Sequence, residues 1–427
     1  MTRCTAISET RGSGSAHVAE SARVPSDDEL RRLTRRAVAE IIPEEQFIKA
    51  LKSGTPLRLK MGFDPSAPDL TLGHAVGLRK LRQLQDLGHT VVVIVGDWTA
   101  RIGDPSGQSK TRPMLTVDQV NANAETYLRQ FFKIVDRERT EIRRQSEWFD
   151  AFTLTTVVHL TAKFTVAQML EREDFAQRFN SQKPVGVHEL LYPLLQAYDS
   201  VAVEADVEFG GTDQKFNLHV GRELQPEYDL PPQAIFLVPL LVGLDGNIKM
   251  SKSLGNYVAL DDPPGEMYGK LMSIPDTLVA DYFELLTDIP DEEVAYIRSS
   301  IEKKSQNPME HKLRLAREIV AQFHGAPAAE EANAEFGRVF RAGEQPEEVP
   351  EYGIRFEGDV TTVDVVDVLA ASTAAPSRTE ARRLLQQGAV EADGSRVTDV
   401  RWPVRRGTIL RVGKHRFLRI VDTAEGG

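Results

Sequence analysis

The chain has 427 residues, of which 41% are hydrophobic and 27% are charged, and a formal net charge of −11 at pH 7. This length predicts two or three domains, because a single hydrophobic core rarely organises so long a chain. The negative charge argues against indiscriminate nucleic-acid binding over the whole surface, and no apolar run approaches the ~20 residues that span a bilayer.

The N-terminal segment 1–28 is predicted to be a disordered leader, since it is rich in Ser, Ala, Thr and Gly. Its three arginines leave a transit peptide open, whereas its two glutamates favour a disordered extension. The leader holds the single cysteine, Cys4, so an internal disulfide and a cysteine-based zinc site are both excluded. Without a signal-peptide core, the sequence predicts a cytoplasmic protein.

Residues 29–245 are predicted to form an α/β catalytic domain with a doubly wound, Rossmann-like parallel sheet. The buried parallel strands are predicted at 57–61, 91–96 and 236–240, and the helices between them at 75–87, 117–135 and 187–199. Ligands of such sheets bind beyond the carboxyl ends of the strands. The polar residues His74, 97–104 and 210–214 fall at or just after strand ends, which predicts a site there.

Two segments have phosphate-binding chemistry. Gly73 opens a helix that follows a strand, and the unpaired N–H groups and dipole of a helix start favour an anion next to His74. Lys249 and Lys252 lie three apart on a loop with Gly and Ser, which suits a triphosphate. Either segment alone would more often be an ordinary helix start or a solvated charge pair, but the combination predicts nucleotide chemistry.

These segments, TLGH at 71–74 and KMSKS at 249–253, resemble the HIGH and KMSKS signatures of class I aminoacyl-tRNA synthetases, the first in degenerate form. GGTDQ at 210–214 and YPLLQAYD at 192–199 are similar to motifs of the bacterial-type tyrosyl-tRNA synthetase family, and the resemblance runs from about residue 28 to 422. It implies an ATP-dependent ligase that activates L-tyrosine and transfers it to tRNA(Tyr). It also implies a homodimer.

The resemblance implies roles for individual residues. The groups that act on the reacting phosphates are His74, Thr71, Lys249 and Lys252. The other ATP contacts are Asp64, Ser66, Gly73, Gly211, Asp213, Gln214, Met250, Ser251 and Ser253. The tyrosine contacts are Asp104, Tyr192 and Gln196 at the ammonium and Asp199 at the phenol hydroxyl. Magnesium is expected to enter with ATP, and no dedicated metal site is predicted.

The spacing of three of these residues supports their grouping independently. Tyr192, Gln196 and Asp199 lie four and three apart, so they share one helical face and can converge on a small ligand. Without the neighbouring motifs, a core tyrosine and a helix-end carboxylate would be the better interpretation. A site that bonds the phenol hydroxyl can reject phenylalanine by about 10⁴–10⁵ without an editing domain.

Three departures from the family pattern leave alternatives open. Thr71 replaces a histidine that acts on the γ-phosphate, which motivates a synthetase-like RNA-binding protein without activation. Lys60 stands where many relatives have a tyrosine at the phenol hydroxyl, and it either donates to the phenol oxygen or points away. Lys60 also motivates a paralogue that activates a modified tyrosine. Ser66 keeps the hydroxyl of the more common threonine.

In the loop after residue 96, Lys110 and Arg112 are expected either to contact phosphate or tRNA or to be solvated.

Downstream of the α/β domain, the sequence predicts three regions. Residues 246–342 are assigned to the KMSKS loop and a helical domain, with helices at 277–286 and 309–323, and 343–360 to a linker.

Residues 361–427 are assigned to a small α+β RNA-binding domain of the alpha-L type. The stretch 361–420 carries eleven Arg and Lys against six Asp and Glu, which predicts local contact with a polyanion. A helix is predicted at 363–370, a second helix begins at Ser377 with Glu380 in capping-box spacing, and short strands follow. The resemblance assigns RNA contacts to Arg378, Arg382, Arg383 and Lys414.

Overall fold

The computed structural model describes residues 21–66, 68–104, 116–338, 349–356, 358–372, 374–375, 377–413 and 416–423. The chain divides into two compact units, the first made of Met1–Asp261 and Ile274–Ser305 and the second of Asp262–Ser273 and Gln306–Gly427. Among the described residues, no helix is both long and apolar enough to cross a membrane.

The core of the first unit is a six-stranded sheet. Its strands are β1 (Glu40–Ile42), β2 (Arg58–Phe63), β3 (Thr90–Val95), β4 (Thr140–Arg144), β5 (Val207–Gly211) and β6 (Ala234–Val238). The spatial order is β1-β6-β5-β2-β3-β4, and every pair is parallel except β1 with β6. The predicted doubly wound fold class is confirmed, since the strand order reverses direction between β2 and β5.

The helices of the first unit connect and flank these strands. They are α1 (Asp27–Arg35), α2 (Glu44–Lys52), α3 (Leu72–Gln85), α4 (Thr99–Ile102), α5 (Val117–Phe131), α6 (Ser146–Phe149), α7 (Leu154–Thr161), α8 (Val166–Met169), α9 (Glu173–Asn180), α10 (Tyr192–Ala202) and α11 (Lys215–Leu224). The central strands β3 and β6 are buried at nearly every position, because helices cover both faces of a parallel sheet.

The predicted leader is ordered at its end. Ala22 and Arg23 donate backbone hydrogen bonds to Gly54 and Leu87, and α1 begins at Asp27 inside the predicted segment 1–28. Ser26 caps α1 in a reciprocal capping box with Glu29. Residues 1–20, with Cys4, lie outside the described residues.

The second unit begins in the predicted helical region. Its bounds are α12 (Pro264–Ser273), α15 (Pro308–His324), α16 (Ala326–Phe336), β7 (Glu351–Ile354), β8 (Val360–Asp364), α17 (Val365–Ala371), α18 (Arg378–Gln386), β9 (Val390–Ala392), β10 (Ser395–Arg396), β11 (Arg401–Arg405), β12 (Ile409–Val412) and β13 (Arg416–Asp422). The intervening helices α13 (Val279–Leu286) and α14 (Asp291–Glu302) belong to the first unit instead.

Arg36 explains why α13 belongs with the sheet. Its side chain is buried, and it donates to the carbonyl oxygens of Phe283, Glu284 and Thr287 at the end of α13. A single guanidinium thus satisfies carbonyl groups that a helix end leaves unpaired. The predicted boundaries of the helical domain, 246–342, therefore do not coincide with the division into units.

Two of the predicted helical stretches include another regular element. The stretch predicted as a helix at 187–199 is a 3₁₀ turn over Glu189–Leu191 followed by α10, which continues to Ala202. The helix predicted at 363–370 begins at Val365, because 360–364 pair with β11 as β8. Among the described residues of 263–338 all regular elements are helical, as predicted.

Candidate active site

A cleft of about 310 Å³ opens at the carboxyl ends of β2 and β5, where the strand order reverses. Almost all of the predicted site residues line it. They are Asp64, Ser66, Thr71, Gly73, His74, Asp104, Tyr192, Gln196, Asp199, Gly211, Asp213, Gln214, Lys249, Met250, Ser251 and Lys252. Ser253 is exposed outside this lining, and its hydroxyl lies 2.9 Å from that of Ser251. The roles of these residues stay predictions.

Asp64 links the end of β2 to α10. Its carboxylate accepts hydrogen bonds from the Thr99 hydroxyl at 2.6 Å and from the Tyr192 hydroxyl at 2.9 Å. A Cβ at Gly96 would collide with Asp64 and Thr99, so this close approach requires glycine there. Burial, followed by the nearby carboxylates of Asp64 and Asp104, raises the pKa of Tyr192 well above its ordinary value, so its hydroxyl stays protonated and remains a donor.

Asp199 is a carboxylate held in the base of the cleft at 2% exposure. Gln145 Nε2 donates to Asp199 Oδ2 at 2.8 Å, and Trp148 Nε1 donates to Oδ1 at 3.2 Å. Burial raises the pKa of Asp199 to about 7, although the Lys60 ammonium and these two donors oppose the shift. A buried carboxylate that lacks a hydrogen-bond donor costs free energy. Asp199 is therefore well suited to select a ligand that donates a hydrogen bond.

Side-chain amides connect α10 to the rest of the cleft. Asn217 Nδ2 donates to Gln196 Oε1 and to Gln214 Oε1, both at 3.0 Å. Gln214 Nε2 in turn donates to Asp104 Oδ2 at 3.0 Å, and the buried Arg172 reaches Asp104 Oδ1 at 3.4 Å. Polar groups in this region are thus fixed by one another before any ligand binds.

Lys60 lies beneath this network and does not line the cleft. Its ammonium forms a 2.9 Å ion pair with Glu208, and the two side chains are 0% and 1% exposed. Of the two orientations left open for Lys60, the structure has the one that points away.

His74 and Thr71 form one unit at the start of α3. Thr71 is the N-cap, its N–H donates to His74 Nδ1 at 3.1 Å, and its hydroxyl lies 2.9 Å from the same nitrogen. The hydrogen-bond network therefore assigns the ring proton to Nε2. Burial, together with Lys252 and Lys249, lowers the pKa of His74 to about 3, so the ring is a neutral donor.

The KMSKS lysines are bound to the walls of the cleft. Lys249 Nζ pairs with Asp213 Oδ2 at 2.6 Å, and Lys252 Nζ donates to the Asp69 carbonyl at 2.8 Å and to the Tyr127 hydroxyl. Both members of the Lys249–Asp213 pair are partly exposed, at 34% and 25%. Such a pair is weakly stabilising and can exchange for another partner.

The side chain of Asn256 holds the loop of Lys249 and Lys252 together by hydrogen bonds. Its side chain accepts from Ser251 N at 2.8 Å and donates to the Asp245 carboxylate and the Lys249 carbonyl. Gly243 lies so close to Asn256 that a Cβ would collide with the amide group. A bridge between Val242 and Lys249 closes the base of the loop.

Several residues of the site escaped the sequence analysis. They are Tyr127, Gln145, Trp148, Arg172, Glu208, Asn217 and Asn256. Asn217 and Asn256 lie within a few residues of quoted motifs, so extending those motifs by one helical turn would have found them. The others are distant in sequence from their partners and carry no local signal.

The predicted RNA-binding arginines lie on α18 of the second unit. Arg378 pairs with Asp367 at 2.6 Å and Arg383 with Glu380 at 2.6 Å, whereas Arg382 is exposed and has no ion-pair partner among the described residues. Ser377 caps α18 by accepting from Glu380 N. Lys110, Arg112 and Lys414 lie outside the described residues.

Two known protein families match separate segments of the chain. The family described as tRNA synthetases class I (W and Y) matches residues 52–341, and the S4 domain family matches residues 365–410.

Proteins named tyrosine--tRNA ligase are similar over nearly the whole chain. The one from Dehalococcoides mccartyi (strain CBDB1) is 57% identical over 396 residues, covering 93% of this chain and 99% of the relative. The one from Thermotoga maritima is 51% identical over 395 residues, covering 92% and 97%.

Solved structures share the fold at low sequence identity. The tyrosyl-tRNA synthetase of Archaeoglobus fulgidus, complexed with L-tyrosine, superposes with a TM-score of 0.59 at 22% identity, covering 72% of this chain and 99% of that one. The C-terminally truncated mitochondrial tyrosyl-tRNA synthetase of Aspergillus nidulans has a TM-score of 0.59 at 20% identity, covering 73% and 97%.

Proposed function

This chain belongs to the class I tRNA synthetase family of the tryptophan and tyrosine enzymes, and from that premise we propose that it is a ligase that joins L-tyrosine to tRNA(Tyr) with ATP. The observation that carries the choice of tyrosine is the buried carboxylate of Asp199 in the same cleft as His74 and the KMSKS lysines. A cytoplasmic location is part of the proposal.

The first reaction is an in-line displacement at the α-phosphorus of ATP. The tyrosine carboxylate attacks, the bond to the bridging oxygen of pyrophosphate breaks, and tyrosyl-adenylate forms without a covalent enzyme intermediate. The protein has to position the reactants and stabilise charge on the phosphates, and magnesium arrives with ATP as part of the substrate. His74 donates from Nε2 as a neutral group, because burial lowers its pKa well below the neutral range.

The two lysines exchange partners as ATP binds. Lys249 leaves Asp213, whose carboxylate then accepts from the ribose hydroxyls, and Lys252 leaves Tyr127 and the Asp69 carbonyl. Both ammonium groups then stabilise pyrophosphate as it departs. The partial exposure of the Lys249–Asp213 pair supports this exchange, because such pairs are held by little free energy.

Tyrosine recognition uses both ends of the amino acid. The substrate ammonium is held by Tyr192, Gln196 and Asp104, and the phenol hydroxyl donates to Asp199. Phenylalanine cannot make this last bond, so binding it leaves a buried carboxylate without one of its donors.

The two departures that motivated other functions have structural explanations. Thr71 caps α3 and orients His74, so its hydroxyl supports a phosphate donor. Lys60 is paired with Glu208 away from the cleft, which removes the reason to expect a modified tyrosine. Neither the RNA-binding protein without activation nor the paralogue is favoured by an observation.

The second unit is proposed to bind tRNA through α18. Arg382 is available at once, and Arg378 and Arg383 exchange Asp367 and Glu380 for phosphates. Deleting residues from 361 onward should reduce tRNA charging and leave adenylate formation unchanged. Unchanged charging would contradict this assignment.

A homodimer is proposed to form through the segment 154–187 of the first unit. Five large apolar side chains are more than half exposed in this one segment: Leu154, Val158, Val166, Phe179 and Val187. Such a set favours a partner of matching apolar character, and a second copy of the chain provides one. Replacement of Val187 by Asp should yield a monomer in sedimentation, and an unchanged dimer would exclude this surface.

The test of the proposed function is amino-acid-dependent exchange of labelled pyrophosphate into ATP. Tyrosine, phenylalanine, tryptophan and modified tyrosines are compared at equal concentration. Exchange with tyrosine alone is expected. Exchange with none of them would remove the enzyme proposal, and preference for a modified tyrosine would favour the paralogue.

A further inference from the structure

Lys60 uses its whole hydrogen-bonding capacity inside the protein. Its Nζ donates to Glu208 Oε1 at 2.9 Å, to the Ser200 hydroxyl at 2.7 Å and to the Gln196 carbonyl oxygen at 2.8 Å. An ammonium has three donors, so no proton remains for a substrate atom. Lys60 therefore makes no hydrogen bond to a substrate, and its hydrogen bonds act on the site through its partners.

Glu208 is equally saturated. Its Oε1 accepts from Lys60 and from Gln196 Nε2 at 3.1 Å, and its Oε2 accepts from the Ser200 hydroxyl at 3.1 Å and from Gln233 Nε2. All of these groups approach as donors, which is what an ionised carboxylate requires. Lys60 supplies the positive charge that permits an ionised carboxylate at 1% exposure.

The ionised carboxylate of Glu208 determines how the side-chain amide of Gln196 is oriented. A carboxylate can only accept, so the NH₂ group of Gln196 must face Glu208, and its Oε1 must face Asn217 and the cleft. An amide oxygen is the group that accepts from an ammonium, whereas an NH₂ group in its place would repel one. The orientation of this amide thus decides whether Gln196 offers an ammonium an acceptor or a competing donor.

We propose that the Lys60–Glu208 pair is a positioning device for the amino-acid site, in which Glu208 fixes the Gln196 amide with its oxygen toward the substrate ammonium and Lys60 neutralises Glu208. The proposal rests on the proposed function and adds to it the means by which Gln196 is oriented. The pair is a positioning element, since neither side chain lines the cleft. It serves every substrate with an α-ammonium equally, while discrimination at the phenol hydroxyl is left to Asp199.

The test replaces both charges together, because removing Lys60 alone would leave an unpaired buried carboxylate. Lys60→Met/Glu208→Gln keeps the volume and replaces the carboxylate by a neutral amide that can bond Gln196 in either orientation, so that Asn217 Nδ2 alone holds the Gln196 oxygen toward the cleft. We expect KM for tyrosine to rise about tenfold in pyrophosphate exchange, with kcat and KM for ATP within about twofold of wild type. KM for phenylalanine should rise by the same factor.

A matched control separates positioning from stability. Gln85 is a fully buried polar side chain that bonds Asp136, Arg139 and Thr140 and does not line the cleft. Gln85→Met should lower the thermal unfolding midpoint and leave KM for tyrosine unchanged. Lys60→Leu/Glu208→Gln, which again removes both charges, serves as a second variant if the first double variant does not fold.

The outcomes are distinct. A variant that unfolds earlier but keeps the wild-type KM for tyrosine would make the pair purely structural and overturn the proposal. A loss confined to tyrosine, with phenylalanine unaffected, would place Lys60 at the phenol and overturn it as well. Absence of tyrosine-dependent exchange in the wild-type protein would instead contradict the proposed function.

Discussion

The cleft joins two groups of side chains that differ in burial. Around α10, Asp199 lines the cleft at 2% exposure, and Gln196 is backed by the buried side chains of Lys60 and Glu208, each held by several hydrogen bonds. Around the KMSKS loop, Lys249 and Lys252 are partly exposed and bound to Asp213, Asp69 and Tyr127, partners that we propose they exchange for ATP. We call these the amino-acid region and the phosphate region.

This difference matches the two tasks of an activating enzyme. Selection of a substrate needs groups that cannot rearrange to accept the wrong one, and burial provides that rigidity at a cost in desolvation. Stabilisation of a departing pyrophosphate needs charges that move with the reaction. Variants in the two regions should therefore change different kinetic constants.

The largest effect is expected in the phosphate region. Lys252→Ala should lower kcat of tyrosine activation by about 10²–10³, since it removes a charge that acts on the transition state. KM for tyrosine should stay near wild type. Steady-state pyrophosphate exchange measures both constants, with the exposed Lys303→Ala as a control that should change neither. A raised KM for tyrosine with normal kcat would contradict the division between regions.

Asp199→Asn tests the amino-acid region. Loss of a charged hydrogen bond to the phenol hydroxyl should reduce the preference for tyrosine over phenylalanine by about 10- to 150-fold in kcat/KM. Asp150 is the matched control, because its carboxylate also accepts from an indole N–H, that of Trp98, yet does not line the cleft. Equal losses for both amino acids would place the phenol elsewhere.

The buried charge of Asp199 should also be visible in stability. Its pKa rises from an ordinary 3.8 to about 7 on folding, so the folded protein retains a proton that the unfolded chain has released between pH 4 and 7. The free energy of unfolding should then fall as pH rises through that window, by up to about 1.4 kcal/mol per pH unit from this group. Above pH 7 its contribution should be constant.

Urea unfolding of wild type and Asp199→Asn at pH 5, 6, 7 and 8 isolates this contribution. The variant should gain stability relative to wild type from pH 5 to 7 and hold that difference at pH 8. Parallel curves for the two proteins would show that Asp199 is ionised throughout.

The smallest effect is expected outside the cleft. Arg382→Ala should weaken tRNA binding a few-fold and reduce the slope of log affinity against log salt by about 1, as for one lost phosphate contact. Amino-acid activation should be unchanged. Arg298, which pairs with Asp281 and Glu284 in the first unit, provides the control substitution. An unchanged salt slope would exclude Arg382 from the RNA surface.

Features set by local sequence were predictable. The face shared by Tyr192, Gln196 and Asp199 followed from helical spacing, and the buried strands β2, β3 and β6 followed from apolar runs. β4 was missed because all five of its residues are half-buried at the sheet edge and form no apolar run. β1 was not predicted either, and it has only three residues, which is too short to form a recognisable apolar run.

Features set by distant contacts were not predictable from one sequence. Lys60 bonds Glu208, which is 148 residues away in the sequence, and Gln145 bonds Asp199, which is 54 residues away. Nothing in the local pattern of either residue indicates its partner. For the same reason the sequence left two orientations open for Lys60, and only the fold distinguishes them.

The measurement that tests the separation of the two regions most directly is the ratio of kcat/KM for tyrosine to that for phenylalanine, compared between wild type and Lys252→Ala. If the amino-acid region alone selects the substrate, the variant loses activity with both amino acids by the same factor and the ratio is unchanged. A ratio that falls along with the rate would show that the KMSKS loop takes part in selection and would contradict the account.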